Sequence, residues 1–211
     1  MLYDAAMTLQ HTDFIHEESV RSCFDKLEKV VAVFDGHAIT EDEMVFPVIQ
    51  NIAPDIVEDF ESQHVTDHRL SHDLLNLMLT YDYAKTVASK LQCGIKVQIA
   101  FQEFIAFNLQ HMNKEETIIN EILWNSFADE AIMGIEQQIV AKQDPSKAEF
   151  VMRWMLKGIN DMELIFWLEK VKKFAPPFVL EGLYTLAEQE LSTERWSMIR
   201  EQVEEQPFIL Y

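Results

Sequence analysis

Residues 17–52 read EESVRSCFDKLEKVVAVFDGHAITEDEMVFPVIQNI, and within them Val20, Phe24, Leu27, Val31 and Phe34 recur at intervals of three and four. That period is helical and sets one apolar face toward a core. The run carries His37 and Glu41 four residues apart, so both side chains lie on one face of the helix. Gly36 and Pro47 flank the pair and predict a bend close to it.

The same texture extends outward in both directions. A first helix is expected from Leu2 to about Gln10, with Thr12-Asp13 breaking it before Glu17. Pro54-Asp55 opens a third helix, since proline is tolerated in a first turn and an acid there favours the helix dipole. It runs to about Tyr83, and a fourth runs from near Val87 to Trp124, with Ile99, Phe104, Phe107, Leu109 and Ile118 on its apolar side. Short connections predict antiparallel packing of sequential helices. The fold class is therefore all-α, an antiparallel up-down-up-down four-helix bundle over residues 1–125. Beyond Phe127 further helices are expected at Asp129–Val140, after Asp144-Pro145, at Asp161–Phe174, and from the Ala175-Pro176-Pro177 break to about Val203. Residues 126–211 are read as a helical C-terminal extension that packs on the bundle or on a partner subunit. Trp154, Phe166, Trp167 and Phe178 are candidates for a homodimer contact there, although aromatic residues at helical spacing more often fill a core.

Composition narrows the function classes. The chain has 211 residues, nearly half of them apolar, enough to bury a sizeable core without staples. Acidic residues outnumber basic ones 36 to 17, for a formal charge of −19. Such a surface repels phosphate backbones and anionic lipid, which argues against nucleic-acid and membrane partners. Cys23 and Cys93 are the two cysteines and form no Cys-x-x-Cys spacing, giving neither a disulfide framework nor a thiolate site. With no secretory leader pattern and no long uncharged apolar stretch, the expected setting is cytoplasmic.

Two more pairs repeat the spacing of the first. His64 and His68 lie one turn apart on the third helix, and His111 and Glu115 on the fourth. Imidazoles and carboxylates turned from three helices toward one axis form a donor set suited to iron, manganese or zinc. His72 extends the third-helix ladder, but three histidines at this spacing span about 12 Å of axis, more than one ion can use. From spacing alone either His64/His68 or His68/His72 qualifies. Each pair also has a plainer reading: a solvated acidic turn for His37 and Glu41, a surface histidine ladder for the second, a satisfied polar pair for His111 and Glu115. A buried carboxylate at position 115 would be costly unless paired or ligated.

The strings His37-Ala-Ile-Thr-Glu41-Asp-Glu-Met-Val-Phe-Pro47, His64-Val-Thr-Asp-His68 and His111-Met-Asn-Lys-Glu115-Glu resemble the hemerythrin-like cation-binding domain over about residues 1–125. The resemblance implies a four-helix bundle around a di-iron centre. It assigns His64, His68 and His111 to one iron, His37 to the other, and Glu41 and Glu115 as bridges, with His72 left outside. The family also uses a first-helix histidine, and residues 1–10 contain none. Either a segment upstream of Met1 supplies it or the site lacks that ligand.

Three function classes follow. The first is a non-haem di-iron protein that binds or senses dioxygen, nitric oxide or redox state, or that handles iron. The second is a di-iron oxidase or peroxidase-type enzyme, for which no substrate-binding residues are recognisable. The third is a degenerate helical interaction protein with one metal ion or none.

Overall fold

The computed structural model describes residues 1–205 and, among them, contains helices and turns but no strands. Two compact units divide at Lys142/Gln143.

In the first unit, α1 (Leu2–Gln10) packs on α2 (Glu17–Thr40) and on α5 (Val87–Lys114), while α4 (Pro54–Thr80) packs on α2 and α5. The expected bend after Gly36 takes a specific form. The helical path continues from α2 through a π-helical turn at Glu41–Val45 into α3 (Phe46–Ile49), with the Phe46 N–H donating to the Glu41 carbonyl five residues back. Pro47 supplies the reason: it lacks an N–H, and its ring would collide with the carbonyl four residues earlier, so the turn before it widens. Gly36 sits in open space with ordinary helical backbone and interrupts nothing.

Helix α5 likewise continues through a second π-helical turn at Glu115–Ile119 into α6 (Asn120–Ser126). Its buried face is Cys93, Gly94, Val97, Phe101, Phe104, Asn108 and His111. Ile99 and Leu109, expected on that face, are exposed. Steps of three and four from Phe101 through Phe104 to Asn108 and His111 define the inward stripe, and Ile99 and Leu109 fall off it. Helix α7 (Asp129–Lys142) belongs to the first unit and touches the Glu41–Val45 turn.

Two apolar clusters fill this unit. One joins Leu2, Leu9, Val20, Phe24, Leu27, Val31, Leu74, Met78, Val97, Phe101 and Phe104. The other joins Phe46, Ile49, Val57, Phe60 and Ile119. At roughly 1.5–3 kcal/mol for each fully buried large side chain, these clusters dominate the unit's stability. From α2 through the π-helical turn into α3 the order is Val31, then His37 and Glu41, then Phe46. Along α4, read backward, it is Leu74, then Ser71, Asp67 and His64, then Phe60. From α5 into the second π-helical turn it is Phe104, then Asn108, His111 and Glu115, then Ile119. The polar groups of three helical segments thus lie between the same two clusters.

The second unit contains α8 (Pro145–Gly158), α9 (Asp161–Phe174), α10 (Pro177–Glu190) and α11 (Thr193–Glu205). Leu156, Leu164, Ile165, Leu168, Leu183, Trp196, Ile199 and Val203 form its core. Asn160 and Glu163 cap α9 reciprocally, and Arg195 donates to Asp161 and to the Ile159 carbonyl, which fixes the α8–α9 turn against α11. Among the four aromatic residues expected to be core or contact, Trp167 packs against this core while Phe166 and Phe178 are exposed. No described helix is long and apolar enough to cross a membrane.

Candidate metal centre

The two π-helical turns open on Glu41 and Glu115, each four residues after a histidine. Both carboxylates are buried, as are His64 of α4 and His111 of α5. One donor atom from each of the four lies within 4.8 Å of all the others. His111 Nε2 is 2.6 Å from Glu115 Oε1, and His64 Nε2 is 3.3 Å from Glu41 Oε2. None of these four atoms has a hydrogen-bond partner. At these separations the acids and the rings attract by charge when the imidazoles are protonated. Leaving four buried polar atoms unpartnered costs about 1–3 kcal/mol each, more where a charge is involved, which a bound cation would repay. The donor set therefore fits a transition-metal ion.

The far nitrogens of both rings are occupied. His64 Nδ1 lies 2.7 Å from Asp42 Oδ1, and His111 Nδ1 lies 3.3 Å from Gln63 Oε1. Since those oxygens accept, Nδ1 carries a proton in either charge state, and Nε2, directed at the cluster, is the nitrogen that would bind an ion once it gives up its own proton. Aromatic rings hold the imidazoles from the sides: Phe46 stacks on His64, and Phe60 and Phe107 lie against His111. His64 and His111 meet edge to face, with ring centroids 5.0 Å apart.

His37 reaches the carboxylates from another side. Its Nε2 is 3.1 Å from Glu115 Oε2 and 3.6 Å from Glu41 Oε1, and its ring is about one third exposed. His68 lies apart from this group; it is half-exposed, and its Nδ1 faces Asp35 Oδ1 at 3.3 Å. His72 is largely exposed and contacts Asn76. His11 and His16 are exposed at the ends of α1 and α2.

Charge balance accounts for the protonation of the cluster. Burial alone would raise Glu115, but His111 and His37 outweigh it and bring the carboxyl down to about 2. Burial would lower His37, yet Glu115 and Glu41 hold it above its ordinary value; His64 is raised likewise, with Glu41 and Asp42 overcoming its burial. In the metal-free protein, protons on imidazoles offset the two acids.

Sequence reasoning missed four neighbours. Asp42 and Gln63 fix the imidazole rings, and Asp67 and Asn108 form a buried pair, with Asn108 Nδ2 donating to Asp67 Oδ1 at 2.7 Å. Asp67 lies on the buried face of α4. It is 2 % exposed, and burial, with the charge of Asp35, raises its carboxyl. The steps Phe60, His64, Asp67, Ser71 and Leu74 mark one inward stripe and were available from register alone.

No curated protein and no solved structure matches the chain. The family model described as the hemerythrin HHE cation binding domain matches residues 4–123. With more than half its length matched, and with buried histidines and glutamates from three successive helical segments gathered in one cluster, the chain belongs to the hemerythrin HHE cation-binding family.

Proposed function

We propose that the chain is a non-haem di-iron protein that binds or senses dioxygen, nitric oxide or redox state, or that handles iron. In this reading residues 1–125 form an antiparallel up-down-up-down four-helix bundle with the metals inside it. The observation that carries the reading is the set of four buried, unpartnered atoms, Glu41 Oε2, His64 Nε2, His111 Nε2 and Glu115 Oε1.

These four side chains hold the first ion. His37, facing the remaining carboxylate oxygens, would serve the second together with Glu41 and Glu115. When bound, an iron pair supplies reversible electron chemistry and a position for a small diatomic ligand. The protein's part is to fix the rings through Asp42 and Gln63 and to exclude water with Phe46, Phe60 and Phe107.

A second reading is a one-ion protein, holding iron, zinc or manganese. It is favoured by the small span of the four donors and by His68, which the resemblance assigns to iron but which is half-exposed and outside the four-donor group. Elemental analysis of iron-reconstituted protein, with its near-ultraviolet and visible absorption, separates the two. About two irons per chain supports the di-iron reading, one ion supports the second, and none defeats both.

A further inference from the structure

The segment Glu41–Phe46 grips the His64 ring on three sides. Asp42 Oδ1 meets its Nδ1 at 2.7 Å, Glu41 Oε2 meets its Nε2 at 3.3 Å, and the Phe46 ring stacks on its face with an interplanar angle of 16°. In a regular α-helix adjacent side chains diverge by about 100°, which would keep residues 41 and 42 from reaching opposite edges of one ring. The π-helical turn narrows that divergence. His111 is held differently, since its Nδ1 faces a neutral amide oxygen, Gln63 Oε1, at 3.3 Å.

The geometry points to Asp42 as a positioning residue that makes His64 the stronger metal donor of the two buried histidines. This inference rests on the metal-binding reading above. An ionised carboxylate accepting from Nδ1–H fixes the tautomer, orients Nε2 toward Glu41 and Glu115, and pushes electron density onto Nε2. A neutral amide does the first two for His111 and less of the third. Asp42 is exposed, lies outside the four-donor group and meets it through the His64 ring.

Zinc affinity measured by chelator competition tests the assignment on the full chain, alongside ¹⁵N NMR of its histidine rings. Asp42→Ala is expected to weaken zinc binding about 10–100-fold, the usual effect of losing an outer partner of a metal-bound imidazole, and Asp42→Asn, which keeps an oxygen acceptor, by less. In zinc-loaded wild type the His64 Nδ1–H resonance should lie downfield of that of His111. Asp42→Asn should move it upfield while leaving His111 in place, a response that a purely structural role for residue 42 would not give. Circular dichroism of both variants reports the fold, and if Asp42→Ala fails to fold, Asp42→Asn decides. Wild-type affinity in the folded variants, or a His64 signal indifferent to Asp42→Asn, overturns the inference alone. Failure of wild-type protein to bind zinc or any other transition metal overturns the metal-binding reading with it.

Discussion

Glu41 and Glu115 occupy equivalent positions in two different helical segments. Each follows a histidine by four residues, each is the first residue of a five-residue π-helical turn, and each ends with an unpartnered carboxylate oxygen in the same buried cluster. A wider turn changes which side chains face inward after it, so each helix presents its carboxylate to the centre and then returns an apolar face, through Phe46 and Ile49 or through Ile119, to the core beyond.

This arrangement ranks the histidines. His64→Ala and His111→Ala should each weaken metal binding by more than the roughly 10–100-fold typical of losing an outer partner. His68→Ala should weaken it by less than about tenfold, or about 1.4 kcal/mol. His37→Ala should cost the second ion and retain the first. Isothermal titration with zinc or ferrous ion gives both affinity and stoichiometry.

The pH dependence of metal-free protein follows from the shifted groups. A histidine held protonated by its partners adds stability below its unfolded value of 6.5 and loses it as the pH rises through the higher folded value, which describes His37 and His64. Glu115, lowered from 4.5 to about 2, adds stability above 4.5 and loses it as the pH falls toward 2. The first unit without metal should therefore be most stable between about pH 4.5 and 6.5. Metal affinity should fall on acidification, because ions and protons compete for the same nitrogens. Thermal melts across pH in chelator, repeated with zinc, measure both effects.

Metal should stabilise one unit selectively. At free zinc about 100-fold above Kd, binding adds about 2.7 kcal/mol to the unfolding free energy of the unit that holds the ion. Melting followed by NMR signals of Trp124, in the first unit, should shift upward, while signals of Trp154, Trp167 and Trp196, in the second, should stay in place.

A core contact offers a control remote from the metal. A Cβ added at Gly94 would lie 2.5 Å from the Phe14 ring, whose carbonyl accepts from the buried Tyr81 hydroxyl. Gly94→Ala should destabilise the first unit by about 1–3 kcal/mol through overpacking. Denaturant unfolding should show the loss, and the metal stoichiometry should stay at the wild-type value.

Much of this was legible in the sequence for identifiable reasons. Leu2–Gln10 and Asp161–Phe174 were readable to the residue, because Thr12-Asp13 and the Ala175-Pro176-Pro177 break are strong local stops. The spacing of His37, Glu41, His111 and Glu115 gave their shared helical faces, since that depends only on helical geometry. The π-helical turn before Pro47 had a local signal that was read as a bend, while Glu115–Ile119 contains no proline or glycine to announce one. His68 facing Asp35, and Asp42 and Gln63 behind the imidazoles, depend on packing between helices, which one-dimensional spacing does not encode.

The central claim is that the buried groups of three helical segments close on metal. Anomalous diffraction at the absorption edge of the loaded metal, from crystals of the metal-bound protein, addresses it most directly. A peak within about 2.0–2.3 Å of donor atoms of His64, His111, Glu41 and Glu115 is the expected result. Density only at surface carboxylates, with those four side chains bound to nothing, would contradict it.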